Sequence, residues 1–266
     1  MFKRSKKIGK RSQITVFVII AIVIVIAILG VIFYPNIRKF IAPTIADFMP
    51  NECIEENVKE VMNETFMKGG LMKPELYFMY NNETLGYLCY TSEWYKTCIM
   101  QIPMLKQTIE SEIEKNSEAR ISKCVDDMKK GLENRGYSLK VSGSEKASID
   151  IVPEKVIVSL DMAMTVEKGD EKQTIPISKF KTEFKSNAYE MIMVASSIQN
   201  WEARYGDSAP ESYMAFYPNL KVEKIKQDDG TKVYIITDRN TGEKLQFAIR
   251  SLSWPPGLAI PTTKVV

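Results

Sequence analysis

The sequence predicts an α+β protein in which an N-terminal transmembrane helix precedes a disulfide-supported body. Three observations lead there. Residues 14–34 are apolar apart from Thr15 and carry no charge. Four cysteines, Cys53, Cys89, Cys98 and Cys124, fall in one window beyond that run. After Tyr137 the hydrophobic period drops from about 3.6 to about 2, the change expected where helices give way to half-buried strands.

As a helix at about 1.5 Å per residue, the apolar run covers roughly 30 Å, the thickness of a bilayer's hydrocarbon core. It is longer than the apolar core of a cleaved secretory signal, about 7–15 residues. Lys3, Arg4, Lys6, Lys7, Lys10 and Arg11 precede it, with no acid among them. Such a basic flank stays cytoplasmic. Residues 1–12 therefore read as a basic cytoplasmic leader and 13–34 as a transmembrane helix in membrane lipid. Everything from Pro35 onward is then extracytoplasmic. The same distribution excludes a function class. With those six set aside, the rest of the 36 basic residues fall short of the 33 acidic ones. A nucleic-acid partner is not expected, because phosphate binding needs clustered basic side chains on the body.

Pro35, Pro43 and Pro50 make residues 35–50 a proline-rich neck that interrupts any continuous helix. Asn51 reads as the N-cap of a helix with acids in its first turn. Ile54, Val58, Val61 and Met62 form its apolar stripe, and Gly69-Gly70 stops it. "ELYFMYNNETLGYLCY" carries two aromatic-rich runs around a polar turn, a hairpin signal. From 103 to 135 the pattern is helical, with Ile109, Ile113, Ile121, Val125, Met128 and Leu132 on one side and Ser117 read as a cap dividing it in two. Residues 51–135 thus form a helical, disulfide-containing subdomain.

Residues 136–250 read as an antiparallel α+β domain. Ile149 and Ile151 alternate with polar residues. Val156, Val158, Leu160, Met162, Met164 and Val166 do the same in a long strand that turns at Gly169-Asp170 into "KQTIPISKF". A helix over 184–205 carries Phe184, Ala188, Met191, Ala195, Ile198, Trp201 or Glu202, and Tyr205 along one side. A meander follows, "LKVEKIKQ", "TKVYIITD" and "KLQFAIRS", with turns at 228–230 and 240–242. Strands on either side of one long helix indicate an antiparallel sheet packed on it. Residues 251–266 are a proline-rich extended tail.

An even number of cysteines on an outward-facing body predicts disulfides. Of three possible connectivities, Cys53–Cys124 with Cys89–Cys98 is favoured, since the second pair flanks a short hairpin-like loop. Four buried thiols are the alternative. The chain has no histidine, which removes imidazole catalysis and histidine-ligated zinc. Phosphate-loop and dinucleotide fingerprints are absent. Glu55-Glu56 and Asp126-Asp127 read as acids on helix first turns. Neither enzymatic activity nor a cofactor nor a metal is expected. Asn63 and Asn82, each followed by Glu-Thr, are possible glycan acceptors, Asn82 the better because it sits on a turn. Tyr77, Tyr80, Tyr87, Tyr90, Trp94 and Tyr95 read as core packing or, alternatively, as a recognition surface.

The leader "KKIGKRSQITVFVII" resembles the class III signal of archaeal type IV pilin-like proteins. The likeness covers about 25 residues and extends to single-span surface proteins of small-genome archaea. It implies Ser12 and Gln13 as a processing site for a prepilin peptidase, with Gln13 as the new N-terminus. The chain departs from that pattern at Ser12, where glycine is usual, at Phe17, where many pilins carry glutamate, and in its proline-rich neck. The expectation is a membrane-anchored, non-enzymatic cell-surface protein in adhesion, envelope interaction or pilin-like assembly with copies of itself or other envelope proteins. The alternatives are an anchored ligand- or peptide-binding module and, behind it, a carboxylate-based envelope hydrolase.

Overall fold

The computed structural model describes residues 20–25, 28–29, 49–168, 171–175 and 180–253. The chain divides into two compact units, Met1–Met49 and Pro50–Val266. In the first, residues 20–25 and 28–29 are helical. Among the described residues no helix is long and apolar enough to cross a membrane. The leader, Ser12 and Gln13, most of the predicted span and nearly all of the neck lie outside the described residues.

The second unit begins with α1, Asn51–Met67, which buries Ile54, Val58, Val61, Met62 and Phe66. Pro50, not Asn51, holds the N-cap position, and no side chain caps the first turn. The helix ends where Gly69 and Gly70 take φ of +82° and +89°. A side chain on Gly69 would press on the backbone of Gly86 at 2.9 Å, so both the turn and the close approach require glycine. A hairpin follows, β1 (Tyr77–Tyr80) and β2 (Glu83–Tyr90). Its two-residue turn places Asn81 and Asn82 at positive φ, where asparagine is among the best tolerated residues. The short β3, Ile99–Met100, pairs with the end of β2.

The next element, α2, runs unbroken from Leu105 to Glu133. The expected division at Ser117 does not occur. Ser117 is fully buried on the apolar side and donates its hydroxyl to the Glu114 carbonyl within the helix, at 3.3 Å. Asp126 and Asp127 consequently sit inside a continuous helix and not on a first turn.

Two sheets follow where one was expected. The first contains β4 (Ser138–Val152), β5 (Lys155–Lys168), β6 (Glu171–Ile175) and β7 (Lys181–Lys185), all antiparallel. Alternation decides its faces: Val156, Val158, Leu160, Met162, Met164 and Val166 are all buried. Phe184 belongs to β7, pairing with Val156, so the next helix, α3, starts at Ala188 and ends at Tyr205. The sequence misassigns Phe184 because a buried residue at period 2 shares its phase with the helix stripe that follows. A short helix with proline in its first turn, α4 (Pro210–Phe216), was not anticipated.

The meander β8 (Leu220–Lys226), β9 (Thr231–Asp238) and β10 (Lys244–Arg250) is antiparallel. The free edge of β10 takes β2 in parallel, giving the strand order β1-β2-β10-β9-β8. The protein is α+β with one antiparallel and one mixed sheet, and the mixed sheet draws strands from both sides of residue 136. The central helix α3 touches strands of both sheets.

Candidate functional site

The inward face of α3 changes character along its length. Met191, Ile192, Val194, Ala195 and Ile198 give an apolar first half, and Gln199 and Glu202 a polar second half that is equally buried. Gln199 donates its amide to the carbonyls of Leu88 (2.8 Å) and Ile102 (3.0 Å). Glu202 has no exposed surface. Its Oε2 accepts from Lys232 Nζ at 2.5 Å, and its Oε1 accepts from the Tyr234 hydroxyl. Lys232 and Tyr234 are two apart on β9 and share a face. Lys224 of β8 is the register partner of Tyr234, and all three converge on the C-terminal end of α3. Lys232 also donates to the Gly206 carbonyl (2.6 Å) and reaches Asp207 Oδ1 at 3.4 Å. Lys224 donates to the same Asp207 oxygen (2.9 Å) and to the Ser208 carbonyl (2.7 Å). Two ammonium groups at the negative end of a helix dipole complement it.

Burial pushes the Glu202 carboxyl above its usual range, with Lys232 and the Tyr234 hydroxyl pulling the other way. Burial and the facing Glu202 raise the Tyr234 phenol well above 10.0. For Asp207, burial pushes upward, but the bond from Lys224 and the charge of Lys232 outweigh it and hold the carboxyl low. The cluster contains two carboxylates and two ammonium groups, so it is balanced in charge. Its chemistry is that of a bolt between helix and sheet, closed to solvent at Glu202.

On the outer side of the same corner, α3, the 207–209 link and α4 enclose a groove of about 580 Å³. Met193, Trp201, Tyr213, Phe216 and Tyr217 supply apolar walls, and Ser197, Ser208 and Asp207 the polar points. The Tyr213 hydroxyl sits 3.2 Å from Ser197 Oγ and 3.3 Å from Ser208 Oγ. Trp201 is 50% exposed and Phe216 83%. The volume lies within the roughly 300–1,000 Å³ usual for binding pockets. Aromatic faces with a hydroxyl cluster bind by stacking and hydrogen bonding. The two serine hydroxyls are engaged by a phenol, not a base, so the arrangement is suited to recognition and not to nucleophilic attack. A second cleft, about 690 Å³, lies beside Glu154, Glu183 and Asn187. Behind it the buried Asp238 accepts from Asn187 (2.6 Å) and from the Asn240 backbone (2.7 Å), which fixes the β9–β10 turn.

The structure joins Cys53 to Cys124, tying α1 to α2, and Cys89 to Cys98, closing a loop between β2 and β3. That loop exposes Trp94 and Tyr95, and the Arg250 guanidinium lies over the rings of Trp94 and Tyr90 at 5.7 and 5.8 Å. The hairpin aromatics divide. Tyr87 packs in the core and pairs its hydroxyl with Thr231 at 2.8 Å, whereas Tyr77 stays exposed. Asn82 lies exposed on its turn. Asn63 is exposed on α1, but the Thr65 of its triplet is buried and bonded to the Val61 carbonyl at 2.8 Å. Glu55 pairs with Lys59, and Asp126 with Lys129. Among the described residues no cluster of acidic, cysteine or histidine side chains is arranged to hold a metal.

Sequence reasoning missed the Lys232–Glu202–Tyr234 cluster and the α3–α4 groove. The available signals were a glutamate in phase with the apolar stripe of α3 and a lysine sharing the face of Tyr234 in "TKVYIITD". Comparison with family models, curated proteins and solved structures finds no match for this chain.

Proposed function

We propose that this is a membrane-anchored, non-enzymatic protein whose disulfide-bonded unit stands outside the cell and engages other surface components. The observation that carries the reading is the pairing of all four cysteines into two disulfides, a state that persists in oxidising compartments. The basic leader and apolar run of the sequence supply the anchor and its orientation. The exposed Trp94 and Tyr95 supply a contact surface that a membrane anchor alone does not need. Capture of a peptide or small ligand in the α3–α4 groove is the second reading, favoured by its size and aromatic lining.

N-terminal mapping of the full-length protein extracted from native membranes tests the assembly branch of this proposal. A chain beginning at Gln13 supports processing and pilin-like assembly, and helical polymers by electron microscopy would accompany it. A chain that retains its leader supports a plain anchor. Recovery in the soluble fraction, with its leader intact, would overturn the anchored reading altogether.

A further inference from the structure

Trp201, Phe216 and Tyr217 leave the α3–α4 groove as an exposed apolar patch, and such patches mark docking surfaces. The described chain leads to this groove. Ser251 donates its hydroxyl to the Glu202 carbonyl at 2.9 Å, and the buried Leu252 donates its N–H to the Lys96 carbonyl at 3.0 Å. Ser253 then lies against Gly206, where a side chain would stand 2.2 Å from Ser253 Oγ. Asp207, Ser208 and Ala209, which follow Gly206 directly, line the groove. The last described residue, Ser253, thus lies beside the residue that leads into the groove lining.

The sequence of residues 254–266 is "WPPGLAIPTTKVV". Closely spaced prolines favour the polyproline II conformation, whose backbone is pre-ordered and whose carbonyls are unpaired. Aromatic-lined grooves recognise such segments because little conformational entropy remains to be lost. The reach is sufficient. Residues 193–206 of α3 and its cap extend about 20 Å, and residues 254–266 span roughly 40 Å when extended. Tethering at Ser253 also gives a local concentration on the order of millimolar, so a weak contact suffices to hold the segment in its own groove.

We propose that the α3–α4 groove is a docking surface for a tryptophan- and proline-containing segment, and that its occupant is residues 254–261 of the same chain. Trp201, Tyr213 and Phe216 offer ring faces for stacking, and the hydroxyls of Ser197, Ser208 and Tyr213, whose two mutual bonds leave one donor over, offer a hydrogen bond to a carbonyl.

Hydrogen-exchange mass spectrometry on the full-length chain tests this, beside a Trp254→Ala variant and a chain ending at Ser253. The expected result is roughly tenfold faster exchange across residues 207–217 in both variants, with β9 and β10 unchanged. Protection in the full-length chain should also be independent of protein concentration. Equal exchange with and without the segment would overturn the proposal. Protection that disappears on dilution would overturn it too, since a second copy would then be the occupant. Should the truncated chain fail to fold, the Trp254→Ala comparison alone decides.

Discussion

Glu202 keeps a carboxylate in a place with no exposed surface because Lys232, Tyr234 and the end of α3 receive it together. Each buried ion costs several kcal/mol of desolvation, and a close, well-bonded partner offsets that cost only while both are present. Glu202→Leu and Lys232→Met alone should each lower the unfolding free energy by about 3–5 kcal/mol. The double substitution should cost far less than their sum, a coupling that urea titrations of the four proteins would measure. Asp207 gives the cluster a pH dependence of definite sign. Its folded carboxyl is held below the ordinary aspartate value of 3.8, so as pH falls past that value the unfolded chain binds the extra proton first. The stability it contributes is complete above 3.8 and is lost as pH falls through the lower folded value. Asp207→Asn should therefore flatten the acid limb of the stability–pH curve, measured by denaturant midpoints across that range. At this scale the sequence was half legible. The stripe of α3 could not choose between Trp201 and Glu202, because nothing local says that a glutamate's partner waits on a strand thirty residues further on.

Among the elements, β4 poses a problem of its own, since its register places β5 on one side and no described strand on the other. An open edge invites pairing with another chain. Here α2 covers part of it: Glu114 accepts from the Ile149 N–H at 2.8 Å and Glu110 from the Ile151 N–H at 2.7 Å. The two glutamates are four apart and lie on one helix face, and the two amides are two apart on one strand edge. Lys106 bridges Glu110 and Asp150 at 2.6 and 3.3 Å. Replacing both glutamates with alanine leaves two amides without these acceptors, at about 1–3 kcal/mol each. The variant should show a lower denaturant midpoint and concentration-dependent light scattering. Local periodicity made the long elements readable: the stripe of α2 and the alternation of β5 are both buried as their spacing requires. Pairing was less readable. The parallel contact of β2 with β10 joins segments far apart in sequence, and Ser117 was misjudged because a buried serine satisfies itself on its own helix.

For the whole molecule, the two disulfides divide the work by loop size. The Cys53–Cys124 bridge spans a sequence separation of 71 and the Cys89–Cys98 bridge one of 9. Chain-entropy reasoning assigns them about 4 and about 2.5 kcal/mol respectively. Both depend on an oxidising surrounding, so the redox state of the cysteines reports the compartment in which the unit folds. That is the link between fold and function here: an anchored body placed outside has oxidised cysteines, and one kept in the reducing cytoplasm does not. The most direct measurement is thiol trapping with a polyethylene-glycol maleimide on the full-length chain in native membranes, denatured without reductant. The outward-facing reading predicts no labelled cysteine until reductant is added, and then labelling at Cys53, Cys89, Cys98 and Cys124. Labelling of all four before reduction would contradict it.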